Sequence, residues 1–368
     1  MYIKEIQLKD FRNYENLEAQ FHKNVNIFLG QNAQGKTNLL ESIYITSMGK
    51  SFRTGKDRDM IRFGSDFFRV KATAVKEEEL VVELAVNQDG KKGIKVDGIK
   101  AKKMAELLEN IYIVVFSPED LRIVKDEPEK RRKFIDRELC QIKPSYYNSL
   151  NQYKKVLSQR NAYLKEYEID ENILDIWDLQ LAEYGSKIIL QRNEFIKKLS
   201  VISSRIHKDI TNKKEELEVF YEPNIEVCKN LQEIYYKELK LNRHNDLKRR
   251  TTGKGPHKDD LKLLSNGIDI RNFGSQGQQR TAALSLKLSE IKLIEEETGE
   301  NPVLLLDDVL SELDRERQNY LINSLEDTQV FITTTEISDE VEESLGNIKY
   351  FQIENGQIIS EEIKGTEI

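Results

Sequence analysis

Apolar and polar residues alternate along YIKEIQLKDF (2–11) and YENLEAQF (14–21), the period of half-buried β-strands. VNIFLG (25–30) is a short apolar run ending at a glycine, as buried strands do. The period then lengthens, and Leu39, Leu40 and Ile43 fall on one face of a helix predicted from about Lys36 to Thr46. Between 68 and 97 the segments FRVKATAV, LVVELAV and GIKVDG read as a β-meander with a turn at Asp97-Gly98, and IYIVVF (111–116) reads as another buried strand. From about Pro128 to Arg250 the chain is charged, nearly free of glycine and helical in pattern. Tyr146, Leu150, Tyr153, Leu157 and Leu164 recur there at heptad-like spacing, a stripe for packing helices together, and LEVFY (217–221) interrupts the helices with a strand. After Gly253 the β/α pattern returns: DLKLLSNG (260–267) as strand and turn, a helix over 278–297, the strands VLLLDD (303–308) and QVFITTT (329–335), and a strand pair in IKYFQIENGQII (348–359). The pattern predicts an α/β domain split in sequence, 1–125 and 251–368, around a helical insertion at 126–250.

Composition narrows the function classes. Charged residues make up 33% of the 368 positions, which suits long solvated helices beside an ordinary core. The net charge of -7 and pI of about 5.5 exclude a uniformly basic nucleic-acid binder, so any DNA contact rests on local patches. Cys140 and Cys228 form no motif, and the four histidines lack metal-ligand spacing. No apolar run approaches the ~20 residues that span a bilayer, and the N-terminus has no signal-peptide core. A cytoplasmic protein that does not span a membrane is expected, and these features leave peripheral attachment to a membrane partner open.

Candidate chemistry begins at Gly30-Gln31-Asn32-Ala33-Gln34-Gly35-Lys36-Thr37, which fits G-x-x-x-x-G-K-[ST] between a predicted strand and a predicted helix. The glycines permit a tight loop whose N–H groups face phosphate oxygens. The helix adds its positive end, Lys36 a charge for the β/γ-phosphates, and Thr37 a hydroxyl for Mg²⁺. ATP and Mg²⁺ are therefore the expected cofactors. Downstream, an apolar strand ends in two carboxylates. Asp307 is the expected Mg²⁺ partner, and Asp308 is placed to polarise an attacking water. Ser311-Glu312-Leu313-Asp314 follows at once, so the stretch resembles the Walker B and D-loop of ABC-type ATPases. Ser275-Gln276-Gly277-Gln278, just before the last long helix, resembles their S-x-G-Q signature, a second anion-binding device at a helix N-terminus.

The segments LKDFRNY (8–14), GQNAQGKTNLLE (30–41), GKSFRT (49–54), FSPEDL (116–121), EKRRKFID (129–136), GPHKDDL (255–261), GSQGQQR (274–280) and LLLDDVLSELD (304–314) together resemble the RecF family of bacterial recombination-repair ATPases, related to Rad50 and SMC heads. The resemblance covers nearly the whole chain. It implies a mixed α/β ABC-type P-loop head with a helical lobe, and an ATP-dependent head-to-tail homodimer in which the signature acts in trans. It also implies weak DNA-stimulated ATP hydrolysis, binding to gapped or junction double-stranded DNA, loading of recombinase with RecR and RecO as partners, and a nucleoid-associated location. Arg12 and Asn13 hold positions that approach the nucleotide in Rad50-like heads. Lys258 stands where Arg is expected, Ala33 where Gly is frequent, and Thr334 and Thr335 where transporters carry a switch histidine. Ser117-Pro118-Glu119 replaces a Q-loop, and Asp308, shorter than a transporter's Glu, predicts slow turnover. Basic sets that could meet phosphates include Lys50, Arg53, Lys56 and Arg58, and also Lys91 and Lys92. A transporter subunit would bring an aromatic A-loop, a Q-loop and a switch histidine, and none is evident. An SMC tether would need a coiled coil far longer than the about 60–70 Å this insertion allows.

Overall fold

The computed structural model describes residues 1–325 and 327–365. Strands β1 (Tyr2–Phe11), β2 (Tyr14–Gln20) and β3 (Val25–Leu29) lead to helix α1 (Lys36–Met48). Next come β4 (Phe67–Val75), β5 (Glu79–Asn87), β6 (Lys92–Val96), β7 (Ile99–Lys100), the short α2 (Ala105–Leu108) and β8 (Ile113–Phe116). The middle of the chain holds α3 (Pro128–Ile142), α4 (Pro144–Tyr163), α5 (Glu171–Ile210), β9 (Leu217–Glu222) and α6 (Leu231–Arg249). It continues through β10 (Asp260–Ser265), β11 (Ile268–Asp269), α7 (Ile270–Phe273) and α8 (Gln276–Thr298). The chain closes with β12 (Val303–Asp307), α9 (Arg315–Asn323), β13 (Val330–Thr334), α10 (Asp339–Leu345), β14 (Ile348–Glu354) and β15 (Gln357–Lys364). Two compact units result, one of Met1–Leu121 with Lys287–Ile368, the other of Arg122–Leu286.

The first unit carries two six-stranded sheets. One is antiparallel, in the order β2-β1-β4-β5-β6-β7. The other runs β15-β14-β3-β13-β12-β8, with every neighbouring pair parallel except β14 and β15. Helix α1 meets strands of both sheets and is buried nearly all round, from Leu39 through Met48. The one-faced helix expected around Leu39, Leu40 and Ile43 is thus corrected, because a helix covered by two sheets has no face left for solvent. Its polar residues are satisfied internally: Ser42 Oγ donates to Leu39 O (2.6 Å) and Thr46 Oγ1 to Ile43 O (2.7 Å). Phe21, Phe28, Phe331 and Phe351 interlock with ring centroids 4.7–6.1 Å apart, joining the N-terminal strands to the C-terminal ones.

In the second unit, α3 to α6 pack around a stripe that differs from the expected one. Tyr146, Leu150 and Tyr153 are buried, but Val156 and Arg160 continue the stripe, while Leu157 is only half-buried. Arg160, on α4, is fully buried because two other helices answer its charge. Its Nε donates to Asp178 Oδ1 and one terminal nitrogen to Asp246 Oδ2, both at 2.7 Å. Arg192 likewise donates to Asp136 and Asp259, both at 2.8 Å. The unit also continues to Leu286 rather than stopping at Arg250, and β10 belongs to it. The reason is β9: a lone strand among helices leaves backbone groups unpaired, and β10 satisfies them along its length, with β11 on the other side. Within GPHKDDL, Asp259 and Asp260 hold Arg192 and Arg131, so this segment works in the second unit's interior.

Candidate nucleotide-binding site

The phosphate loop leaves the C-terminal end of β3, in a mostly parallel sheet where ligands are expected. Both of its glycines are required. A Cβ on Gly30 would lie 2.3 Å from Ile353 O, and one on Gly35 2.5 Å from the Asn13 amide. Ala33 takes a left-handed conformation (φ 66°), which accounts for glycine being frequent there. Lys36 is buried and its ammonium donates to the loop's own carbonyls at Gly30 and Gln31. Burial lowers its pKa, and Asp308 and Asp307 oppose that shift.

Thr37, the first residue after that lysine, donates its hydroxyl to Asp307 Oδ1 at 2.7 Å across 270 positions of sequence. Thr333 on β13 donates to the same oxygen at 2.8 Å. Burial pushes the Asp307 carboxyl up, while these two hydrogen bonds and the charge of Arg53 pull it back. A divalent cation would hold the carboxylate ionised. The donor set fits Mg²⁺: two hard oxygens side by side, with no cluster of three or more His, Cys, Asp or Glu among the described residues. Such an ion keeps most of its shell for waters and phosphate. Asp308 is exposed and left-handed (φ 55°), its N–H donating to Thr333 O and Oγ1 at 3.2 and 3.0 Å. The strand therefore turns sharply between the two acids, which separates them into one inward and one outward carboxylate. Ser311 then closes the turn onto Asp308 O (2.8 Å), and Asp314 caps α9 by accepting from Arg317 N.

Arg12 and Asn13 do not behave alike. Arg12 makes a two-pronged contact with the buried Glu41, both bonds 2.7 Å, and donates to Asp59 O. Asn13 braces the loop by donating to Gln34 O (3.0 Å) while accepting from Asn38 (2.8 Å). Glu41, which also meets Ser51 and lies 3.8 Å from Arg53, organises this corner. Sequence reasoning missed Glu41 and Thr333. Glu41 lay within a recognised segment, but nothing marked its acid as buried; Thr333 sat unremarked beside Thr334, whose hydroxyl instead donates to Glu336 O (2.6 Å). Ser117 N–H and Oγ donate to Asp120 at the position lacking a Q-loop.

The signature residues lie in the second unit. Ser275 and Gln278 form a reciprocal capping box at the start of α8: Gln278 N–H donates to Ser275 Oγ (3.2 Å) and Ser275 N–H to Gln278 Oε1 (3.0 Å). Ser275 and Gln276 are exposed. The box uses the serine oxygen as acceptor and leaves its hydrogen to donate outward, beside the helix's positive end. The cations expected to meet DNA divide in two. Arg53 is bonded to Asn38 (2.7 Å), and Lys92 to Gly49 O and Asp57 (both 2.6 Å). Lys50, Lys56, Arg58 and Lys91 are exposed, with no side-chain partner among the described residues.

The family model described as "RecF/RecN/SMC N terminal domain" matches residues 2–358. The DNA replication and repair protein RecF of Clostridioides difficile (strain 630) is 47% identical over 371 residues, covering 99% of this chain and all of that one. This chain belongs to the RecF family. The RecF of Clostridium novyi (strain NT) is 45% identical over 97% of the chain and 99% of its own length. Among solved structures, the recombination mediator protein RecF with ATP, in the RecFOR pathway, superposes with a TM-score of 0.89 at 41% identity, covering 99% of this chain and 98% of that one. An Smc head bound to the C-winged helix domain of ScpA gives 0.55 at 16% identity, a likeness of fold alone, over 99% of this chain and 97% of that one. The chain thus has the α/β head architecture of RecF and SMC ATPase domains. No helix of the described residues is long and apolar enough to cross a membrane.

Proposed function

We propose that this protein is an ATP-gated, double-stranded DNA-binding clamp of recombinational repair, in which MgATP joins two copies, the phosphate loop of each facing the signature of the other. The observation that carries the reading is the 2.7 Å bond between Thr37 and Asp307, which supports a magnesium corner beside the candidate phosphate loop. Thr37 and Asp307 would hold the ion, whose contribution when bound is to neutralise charge on the β- and γ-phosphoryl oxygens. Lys36 exchanges its loop carbonyls for phosphate oxygens. Asp308, exposed beyond the turn, orients the attacking water and accepts its proton. Ser275, donating outward from the capping box, meets the γ-phosphate held by a second copy, so two sites satisfy each other in an isologous dimer. The unpaired Lys50, Lys56, Arg58 and Lys91 supply phosphate contacts, which makes binding weakly sequence-specific and steeply salt-dependent. The RecFOR pathway named for the solved relatives makes RecO and RecR the expected partners, with recombinase loading at gapped DNA as the outcome.

The test is sedimentation with ADP, ATP and a non-hydrolysable analogue, with and without duplex. Dimers with ATP or the analogue, and monomers with ADP, support the clamp. Monomers at saturating ATP both on and off duplex overturn it.

A further inference from the structure

We propose that the turn joining β14 to β15 is a positioning element of the nucleotide site, fixing the phosphate loop through Gln34. The proposal rests on the nucleotide reading above. Glu354 and Gln357 form the last rung of the hairpin, so the turn has two residues, Asn355 (φ 49°) and Gly356 (φ 73°). Asn-Gly with two left-handed residues is a type I′ turn, matched to strand twist. The N–H groups of its two central residues have no partner in the ladder, and on most hairpins they meet water. Here both meet one residue of the phosphate loop. Asn355 N–H donates to Gln34 Oε1 at 2.7 Å, and Gly356 N–H donates to Gln34 O at 2.9 Å.

The approach is close on every side. A Cβ on Gly356 would lie 2.4 Å from Asn13 O, and one on Gly30 would lie 2.3 Å from Ile353 O. Gln34 O also accepts from Asn13, so the turn after β1 and the turn after β14 grip the same carbonyl. Two segments far apart in sequence thereby determine where one peptide of the loop points. A loop whose N–H groups must converge on phosphate loses affinity when that peptide is free to rotate, because ordering it then opposes binding. The hairpin thus supplies preorganisation through its contacts with Gln34 and Asn13.

Two variants test this, each compared with the wild type by MgATP titration and by hydrogen exchange. Gln34→Met keeps the side-chain length and removes the acceptor for Asn355, leaving the hairpin sequence intact. Gly356→Val drives the turn away from Asn13. The expected results are a dissociation constant raised about five-fold for Gln34→Met, the size of one lost hydrogen bond, and at least about ten-fold for Gly356→Val. Exchange should quicken over 30–36 while β14 and β15 in Gln34→Met keep their protection, and hydrolysis should show a raised KM with kcat little changed. Should Gly356→Val unfold the hairpin, loss of protection in β14 and β15 reveals it, and Gln34→Met decides. Wild-type binding together with unchanged affinity and unchanged loop exchange in Gln34→Met overturns the positioning role alone. A wild type that binds no MgATP overturns the nucleotide reading, and this inference with it.

Discussion

Ala33 bears a strain that its neighbours Gly30 and Gly35 avoid. At φ 66° its Cβ crowds the following carbonyl, at a cost of about 1 kcal/mol, offset in part because glycine loosens the unfolded chain. Ala33→Gly is expected to raise the urea midpoint modestly and leave nucleotide affinity within two-fold. Thr333 carries a sharper prediction. Its hydroxyl holds Asp307 against Thr37, so Thr333→Val should raise the magnesium concentration needed for half-maximal ATP binding several-fold, read by metal titration at fixed nucleotide. Asp308→Asn keeps the shape of the turn and removes the proposed base. ATP should still bind and drive dimers, phosphate release should stop, and the dimer should persist in sedimentation; unchanged turnover would exclude Asp308 from activating water. These residues were unequally legible. The loop, Asp307 and Asp308 stood out because fixed spacing reports chemistry that cannot be rearranged. Thr333 and Glu41 did not, because a hydroxyl or a buried acid is recognised only by its partners, and those lie on β12 for one and beside β1 for the other.

At the scale of elements, α8 illustrates how a candidate binding motif doubles as local structure. The Ser275–Gln278 box starts the helix and presents a hydroxyl outward at once. Ser275→Arg is therefore expected to leave ATP binding to the monomer nearly intact while preventing ATP-driven dimers; equal loss of both would mean that the serine acts within its own chain. In the second unit, His257 ties α4 to the loop before β10. Its Nε2–H donates to Thr252 O (2.9 Å), and its Nδ1 accepts from Tyr153 OH (2.6 Å). Burial, opposed by the Thr252 bond and helped by Lys258, Arg132 and Arg192, lowers its pKa from 6.5 to about 4. The folded form thus prefers the neutral ring. The associated stability is fully present above about pH 6.5 and is lost as pH falls toward 4, on the order of 3 kcal/mol in all. His257→Gln, which keeps one donor and one acceptor, should flatten the thermal midpoint between pH 6.5 and 4. The helices themselves were plain from periodicity. Arg160 in place of an apolar stripe residue was not, since a charge reads as surface until Asp178 and Asp246 are seen to enclose it.

For the whole molecule, periodicity foresaw an α/β body interrupted by helices, but the break at Arg250 fell too early. A hydropathy pattern records that 260–265 is a strand and says nothing of its partner, and β10 follows β9 into the helical unit. The mostly parallel sheet has a similar consequence. β3, which feeds the phosphate loop, lies between β13 and β14, and Ile3 N–H donates to Gln329 Oε1 at 2.7 Å. A nascent chain emerging from the ribosome therefore carries β3 unpaired until nearly all the rest has been made, whereas β1 and β2 pair with each other at once. Contacts of such long sequence separation slow folding and leave apolar edges open meanwhile. Nucleotide competence should then mature only after release, so ribosome-stalled chains ending before Ile348 should retain no ATP however long they wait, whereas released chains should acquire it as the sheet closes.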